Sequence, residues 1–159
     1  MDKMGYPSRK PTRLKTVDYA SANEVFFLTL STRRRQRVFA QEEFNAKVID
    51  TITSERHRLG HAVYVYCLMP DHIHLLSSPL ESGISVSQFV GGLSSRITRL
   101  SWKQGLSGTV MQRSFYDHVV RQDEDLMTVA QYILNNPVRK GMVEDWQAYP
   151  YCGLLDPLP

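Results

Sequence analysis

Two apolar runs separated by only two residues constrain the fold of this chain more than any other feature. The first run is AVYVYCLM, residues 62–69, and the second is HIHLLSSP, residues 72–79. Their β-branched and aromatic residues favour strands, and the Pro70-Asp71 pair between them is typical of a tight connection. Strands joined by so short a connection are most simply antiparallel neighbours. The sequence therefore predicts a β-hairpin.

The segments around this hairpin alternate between strand and helix patterns. Residues 24–32, EVFFLTLST, have the composition of a strand. Residues 41–59 and 85–104 place apolar side chains at helical intervals, which predicts two amphipathic helices. Residues 109–120 are expected to be extended or mixed and to end in a strand.

The C-terminal part of the chain predicts a further helix. Acidic residues at 123–125 favour a helix start, and Pro137 is expected to stop the helix at about Asn136. A short helix over residues 139–143 and an irregular tail follow. The order β-α-β-β-α-β plus a C-terminal helix predicts an α+β fold with a ferredoxin-like, RRM-like antiparallel sheet.

Composition places the chain among globular proteins. Hydrophobic residues make up 42% and charged residues 22% of its 159 residues, and no apolar run approaches the roughly 20 residues that span a bilayer. We therefore expect no membrane partner. The basic N-terminus lacks the apolar stretch of a secretory leader, and two widely spaced cysteines suit a reducing compartment, so a cytoplasmic location is expected.

Basic residues occur in clusters rather than evenly. The net charge is +3 and the isoelectric point is about 8.9. Residues 1–20 are expected to form a basic arm, and residues 21–159 a single domain. Clustered cations suit contacts to phosphates, although a solvated basic surface has the same pattern. The candidate DNA-binding residues of the domain are Arg33, Arg34, Arg35, Arg37, Arg96, Arg99, Arg139 and Lys140.

A pair of histidines at the start of the second apolar run suggests a metal site. On a strand, residues i and i+2 point to the same face, so His72 and His74 project together while Ile73 points to the core. Two imidazoles on one face can chelate a divalent cation. Two ordinary histidines with hydrogen-bond partners remain the alternative.

A third ligand is expected from the segment QYILNNPV. Four residues advance about 400° along a helix, so Tyr132 and Asn136 are predicted to lie nearly on one face. An Asn136 carbonyl oxygen can bind a hard cation, with Tyr132 beside it. Taken alone, each residue is better explained by a structural role, Tyr132 as a core or rim tyrosine and Asn136 as a helix C-terminal residue before proline, so the prediction depends on their occurrence together with the histidine pair.

Three motifs in order then resemble a known family. MPDHIHLL, RSFYDHVVR and YILNNPVRKGMV, followed by Trp146 and YPY, are similar to motifs of the REP-associated tyrosine transposases. These bacterial enzymes belong to the HUH single-tyrosine transposases, whose fold is also ferredoxin-like. The resemblance implies that His72 and His74 are metal ligands, that Asn136 is the third ligand and that Tyr132 is the nucleophile.

The same resemblance implies an activity and its partners. A single-strand DNA endonuclease and strand transferase is expected, with Mg²⁺ or Mn²⁺ as cofactor, a 5′-phosphotyrosine intermediate and repetitive extragenic palindromic (REP) hairpins as substrate. The enzyme is expected to act as a monomer or homodimer. Tyr116 and His118 are expected to support the site, with Tyr116 the competing nucleophile.

Two other functions remain open from the sequence. One is a non-catalytic nucleic-acid-binding module of ferredoxin-like fold, and the other is a metal-dependent phosphodiesterase that uses water as its nucleophile. For DNA recognition by the transposase, aromatic side chains can stack on exposed bases, with packing in the core as the alternative. The candidates are Trp102, Trp146, Tyr149 and Tyr151.

Overall fold

The predicted hairpin forms the middle of an antiparallel sheet. The computed structural model describes residues 21–22, 24–81, 83–121 and 124–159, so the expected basic arm, residues 1–20, lies outside the described residues. Within those ranges the sheet has five strands in the order β4-β1-β3-β2-β5. Their bounds are β1 Val25–Ser31, β2 His61–Met69, β3 His72–Pro79, β4 Tyr116–Val120 and β5 Cys152–Leu154.

The first four strands follow the predicted ferredoxin-like arrangement. β3 pairs with both β1 and β2, and β4 adds to the free edge of β1. The helices are α1 Glu42–Arg58, α2 Val86–Trp102, α3 Leu126–Leu134 and α4 Asn136–Arg139. The predicted α+β fold with an antiparallel sheet and a C-terminal helix that carries Tyr132 is thus confirmed. None of the helices in the described ranges has the length and apolar character needed to cross a bilayer.

Helices α1 and α2 cover one face of the sheet. A capping box at the N-terminus of α2 fixes the start of this helix. The Ser85 side chain accepts a hydrogen bond from the Gln88 backbone N–H, and the Gln88 side chain accepts one from the Ser85 backbone N–H. Both helices bury one apolar stripe against alternate residues of the strands. This first core is formed by Phe44, Val48, Ile52, Phe89, Leu93 and Ile97 together with Phe26, Leu28, Leu30, Ile73 and Leu75.

Helix α3 covers the opposite face. The Asp125 side chain caps it by accepting a hydrogen bond from the Met127 backbone N–H. Its buried residues pack with strand residues that alternate with those of the first core. This second core includes Val129, Ala130, Ile133 and Leu134 with Phe27, Val65, Cys67 and Leu76.

The end of α3 differs from the prediction. The helix ends at Leu134, and Pro137 lies in the first turn of a new short helix, α4, instead of terminating the first one. Proline lacks the N–H that would continue the hydrogen bonds of α3, yet it is tolerated at a helix start. The predicted short helix over 139–143 was therefore placed too late in the chain.

The tail is not irregular, contrary to expectation. Its strand β5 pairs with β2, with Cys152 opposite Cys67. The buried Tyr149 hydroxyl donates to the Leu68 carbonyl at 2.6 Å, so this aromatic side chain serves packing. The Asp156 carboxylate accepts from the Val63 backbone at 2.8 Å. These long-range contacts hold the tail against the sheet.

Candidate functional site

The two histidines lie on the sheet face that α3 covers. In the pairing register His74 stands opposite Thr29 and His72 opposite Ser31, whereas Ile73 is fully buried in the first core. The two imidazole ring centroids are 4.6 Å apart. The predicted alternation of His72, Ile73 and His74 is therefore what the strand shows.

The Nδ1 nitrogen of each imidazole already contacts another side chain of the protein. His72 Nδ1 lies 2.6 Å from Asp71 Oδ1, and His74 Nδ1 lies 2.9 Å from Thr29 Oγ1. A carboxylate acceptor at Nδ1 fixes the tautomer that has its lone pair on Nε2. In metal sites, hydrogen bonds at the ring nitrogen that does not bind the metal orient the histidine ligands in this way.

Burial keeps both imidazoles in their neutral form. Burial lowers the pKa of His72, although the Asp71 carboxylate opposes that shift. The pKa of His74 lies well below its usual value, first because of burial and then because a protonated His74 would be repelled by a protonated His72 and by Arg139. Neutral imidazoles are the metal-binding form, so near pH 7 no proton has to leave before a cation binds.

Asn136 completes the candidate metal site. It is buried at the start of α4, and its Nδ2 lies 3.2 Å from His72 Nε2. Rotating the amide by half a turn would present Oδ1 to the same position, an exchange that changes no heavy-atom position. Two imidazole nitrogens and one amide oxygen fit Mn²⁺ or Mg²⁺. Among the described residues there is no group of three His, Cys, Asp or Glu side chains able to hold a metal.

Tyr132 lies beside this pair on the same face. The ring centroid of Phe27 is 5.4 Å from that of His74 and 6.0 Å from that of Tyr132, so Phe27 contacts both. The Arg139 guanidinium carbon lies 3.8 Å from the Tyr132 ring centroid, and Arg139 Nη1 donates to the Tyr132 carbonyl at 2.6 Å. Tyr132 and Asn136 thus belong to two helices, not one, and Arg139 joins them.

Tyr116 and His118 share this sheet face. Tyr116 pairs with Thr29 and contacts Phe27 edge-on at 6.4 Å between ring centroids. Burial, followed by the charges of Asp117 and Glu124, raises the pKa of Tyr116 to about 12. A phenol with so high a pKa is harder to ionise than a free tyrosine, so this environment disfavours the phenolate form of Tyr116. His118 lies beside the site, and its Nε2 contacts Glu124 Oε1 at 3.0 Å.

Comparison with known proteins decides the family. Residues 24–136 match the family model described as "Transposase IS200 like". The chain belongs to the IS200-like transposases. It is 33% identical over 95 residues to a Haemophilus influenzae protein described as "Putative REP-associated tyrosine transposase". The match covers 54% of each chain, so this transposase spans about half the length of its curated relative. The expected membership of the tyrosine transposases is confirmed.

Solved structures show the same fold. A REP-associated tyrosine transposase bound to a REP hairpin superposes with a TM-score of 0.70 at 20% identity, over 88% of this chain and 82% of that one. A Deinococcus radiodurans protein described as a "putative transposase" gives a TM-score of 0.52 at 19% identity, over 78% of this chain and 96% of that one. At these identities the likeness supports the fold.

Basic residues line a cleft beside His72 in this transposase. The cleft has a volume of about 410 Å³ and contains Arg35, Arg37 and Lys140. Arg35 also forms an ion pair with Asp71, with Nε 3.0 Å from Oδ2. The structure therefore brings three of the predicted DNA-binding residues to the edge of the histidine site.

The other basic candidates lie elsewhere. Arg33 and Arg34 are exposed in the turn after β1, and Arg34 has a left-handed backbone with φ of 55°. Arg96 on α2 lies 3.6 Å from the buried Glu55 carboxylate, which gives it a structural ion pair. Arg99 lies on the same helix, on the sheet face opposite to the histidines.

Sequence reasoning missed three residues that shape the site. Asp71 orients His72, Thr29 contacts His74, and Phe27 lies between His74 and Tyr132. Asp71 carried a usable signal, because it directly precedes His72 and a carboxylate often accompanies a metal-binding histidine. Thr29 and Phe27 carried none, since only the strand register brings them to β3.

Proposed function

We propose that this IS200-like transposase is a metal-dependent single-strand DNA endonuclease and strand transferase that acts through a 5′-phosphotyrosine intermediate. The observation that supports this proposal most is that Tyr132 lies on the same side of the sheet as His72, His74 and Asn136. Phe27 contacts both Tyr132 and His74, and Asn136 contacts His72. A nucleophile beside a candidate metal site is the arrangement that phosphoryl transfer to a protein side chain requires.

The residues that would hold Mg²⁺ or Mn²⁺ are His72, His74 and Asn136. When bound, the ion supplies Lewis-acid stabilisation of negative charge on the scissile phosphate. Asp71 and Thr29 keep the two imidazole rings oriented for that task through their Nδ1 contacts. Burial keeps the rings unprotonated, and the open cleft beside His72 leaves room for a phosphate.

Tyr132 performs the covalent step. Its hydroxyl oxygen attacks the phosphorus as the bond to the 3′ oxygen breaks, the phenolic proton passes to solvent, and the released 3′ oxygen takes up a proton. Attack by another 3′-OH on the phosphotyrosine reverses these changes and joins two strands without an external energy source. Arg139 holds Tyr132 by its ring and its carbonyl, and so fixes the helix end that carries the nucleophile.

The substrate we propose is the REP hairpin, in single-stranded DNA of the bacterial cytoplasm. Support comes from the Haemophilus influenzae relative described as REP-associated and from the related fold solved with a REP hairpin. Arg35, Arg37 and Lys140 offer cations for the phosphates that enter the cleft. We further propose that residues 21–159 form one catalytic domain, which acts as a monomer or homodimer.

A covalent-trapping assay tests this function. Wild type, Tyr132→Phe and the matched Tyr116→Phe variant are incubated with labelled single-stranded REP-hairpin DNA, with Mn²⁺ or with EDTA. Both variants keep a ring against Phe27. We expect a denaturation-resistant protein–DNA adduct in wild type and Tyr116→Phe, only with Mn²⁺, and none in Tyr132→Phe.

Other outcomes identify the two alternatives. Metal-dependent cutting that survives Tyr132→Phe without an adduct indicates a phosphodiesterase with a water nucleophile. Hairpin binding without cutting in any sample indicates a non-catalytic binding module. An adduct lost in Tyr116→Phe and kept in Tyr132→Phe assigns the nucleophile to β4.

A further inference from the structure

A second groove lies on the sheet face away from the histidines. It has a volume of about 530 Å³ and runs between α2 and residues 109–115. Met111 and Phe115 belong to the first core and form its apolar floor. Its described lining residues include two arginines and five hydroxyl side chains, and no carboxylate. A positively charged groove with an apolar floor suits a ligand that has both phosphates and flat rings.

Trp102 gives this groove an aromatic platform. Its side chain is exposed (51% of the residue's surface), although large aromatic residues are usually packed in a core. The indole Nε1 donates to the Gly108 carbonyl at 2.9 Å, so the polar end of the ring is satisfied within the protein. The ring is therefore held in place with apolar surface in contact with solvent, where a base can stack on it.

The two arginines of the groove are placed to meet phosphates. Arg99 and Arg113 are exposed, and the groove lining supplies no carboxylate to neutralise them. Arg96, one turn earlier on α2, differs because it lies 3.6 Å from Glu55. Arg99 also interacts electrostatically with Glu55, but more weakly than Arg96 does, so most of the charge on Arg99 and Arg113 is available for an anionic ligand.

Gly91 leaves part of the groove open. A side-chain carbon added at this position of α2 would meet no atom within 4 Å. The groove is therefore open above Gly91, with room for the methyl group of an alanine as well as for a ligand. The same free space permits a larger side chain without disturbing the core, which makes Gly91 a suitable position for blocking the groove.

We propose that this groove binds an unpaired segment of the DNA substrate, with a base stacked on Trp102 and phosphates on Arg99 and Arg113. The inference rests on the proposed function, because it concerns the same DNA at a second contact. The turn Arg33–Arg35 links the two sites. Arg33 N–H donates to Val110 O at 2.8 Å beside the groove, and Arg35 contacts Asp71 beside the histidines. DNA that crosses this basic turn reaches both faces.

A blocking variant and a stacking variant test the groove. The affinity for fluorescently labelled oligo(dT) and for a REP hairpin is measured by anisotropy without metal, so that no cleavage occurs. We expect Trp102→Ala and Gly91→Leu each to weaken binding by about tenfold, as the loss of one stacked base does. Gly91→Ala, the matched control, should bind like wild type, because a methyl group leaves the groove open.

The charges are tested by the salt dependence of the same binding. Each lost phosphate contact to a single strand lowers the slope of log affinity against log salt by about 0.7. We expect this reduction in Arg99→Gln and in Arg113→Gln. Lys47→Gln removes the same charge from an exposed position of α1 and should leave the slope unchanged.

The outcomes separate this inference from the proposed function. If the groove variants bind DNA like wild type while wild type forms the Tyr132 adduct, the proposal that the groove binds DNA is overturned and the proposed function is supported. Weakened binding in the groove variants, with no adduct in wild type, supports the groove and overturns the function. A change of sedimentation in Gly91→Leu at unchanged DNA affinity would make the groove a surface for a second protein chain, and would also overturn the proposal.

Discussion

Asp71 offers the sharpest test of the candidate metal site. Its carboxylate has two contacts, with Oδ1 2.6 Å from His72 Nδ1 and Oδ2 3.0 Å from Arg35 Nε. Burial alone would raise the pKa of Asp71, but the hydrogen bond from His72 and the charge and hydrogen bond of Arg35 together lower it. The group is therefore ionised at neutral pH and holds His72 with a charged acceptor.

The two contacts of Asp71 differ in expected strength. The Arg35 side chain is 54% exposed, so its ion pair contributes at most about 1 kcal/mol. The His72 side chain is only 8% exposed, and a sheltered hydrogen bond to a charged group contributes about 1.5–3 kcal/mol. Loss of such an outer partner typically weakens metal binding by about 10–100-fold, or about 1.4–2.7 kcal/mol. We expect Asp71→Ala to fall in that range.

The backbone of the hairpin should survive this substitution. The Asp71 carbonyl accepts from the Thr32 backbone N–H at 2.9 Å and from Thr32 Oγ1 at 3.0 Å, and alanine keeps both contacts. Isothermal titration of the DNA-free protein with Mn²⁺ measures the effect without relying on cleavage. Asp71→Asn should give an intermediate loss, because its amide oxygen can still accept from His72 Nδ1.

Arg35→Gln is the matched control for Asp71→Ala. It removes the exposed ion pair and leaves the contact with His72, so the Mn²⁺ affinity should change by much less than tenfold. Unchanged Mn²⁺ affinity in Asp71→Ala would refute the view that this carboxylate orients His72. An equal loss in Arg35→Gln would show that the charge of the cleft, and not the orientation of His72, controls binding.

Three further predictions follow from contacts described above. Arg139→Lys keeps the charge but loses the flat guanidinium on Tyr132, so adduct formation should slow by about tenfold while hairpin affinity, measured by anisotropy, stays near wild type. A parallel loss of affinity would assign Arg139 to DNA binding. The free energy of unfolding should fall as the pH drops from about 7 to about 5, because burial lowers the pKa of His61 and His74 and the unfolded chain takes up protons near pH 6.5 that the folded chain does not. Urea unfolding at each pH measures this change, and a flat profile contradicts it. Phe89→Ala should lower that free energy by about 3–5 kcal/mol, because Phe89 is fully buried and stacks on His61 with ring centroids 4.3 Å apart. A loss below about 1 kcal/mol would mean that this part of the core repacks.

Local patterns predicted the centre of the fold well. The bounds of β3, His72–Pro79, match the second apolar run, and the alternation of His72, Ile73 and His74 follows from the pleat of one strand. A connection of two residues leaves little choice but antiparallel pairing. Signals confined to a few neighbouring residues were therefore sufficient here.

Features that depend on distant residues could not be predicted in this way. β5 has no alternating pattern of its own and forms because β2 offers a free edge. The charge pattern likewise grouped Arg96 with the DNA-binding residues, although the buried carboxylate of Glu55, on another helix, lies 3.6 Å from it. A sequence shows that an arginine is charged, but only the fold shows whether a carboxylate already faces it.

The break between α3 and α4 bears on how such a gene can change over generations. The candidate nucleophile Tyr132 lies before the break, whereas Asn136 lies after it and contacts a histidine of the sheet. Under the proposed function, one substitution at Tyr132 would abolish strand transfer and leave the sheet, the histidines and the basic cleft in place. A chromosomal copy with that single change would then persist as a folded protein with the proposed DNA-binding cleft, available to its host for roles other than transposition.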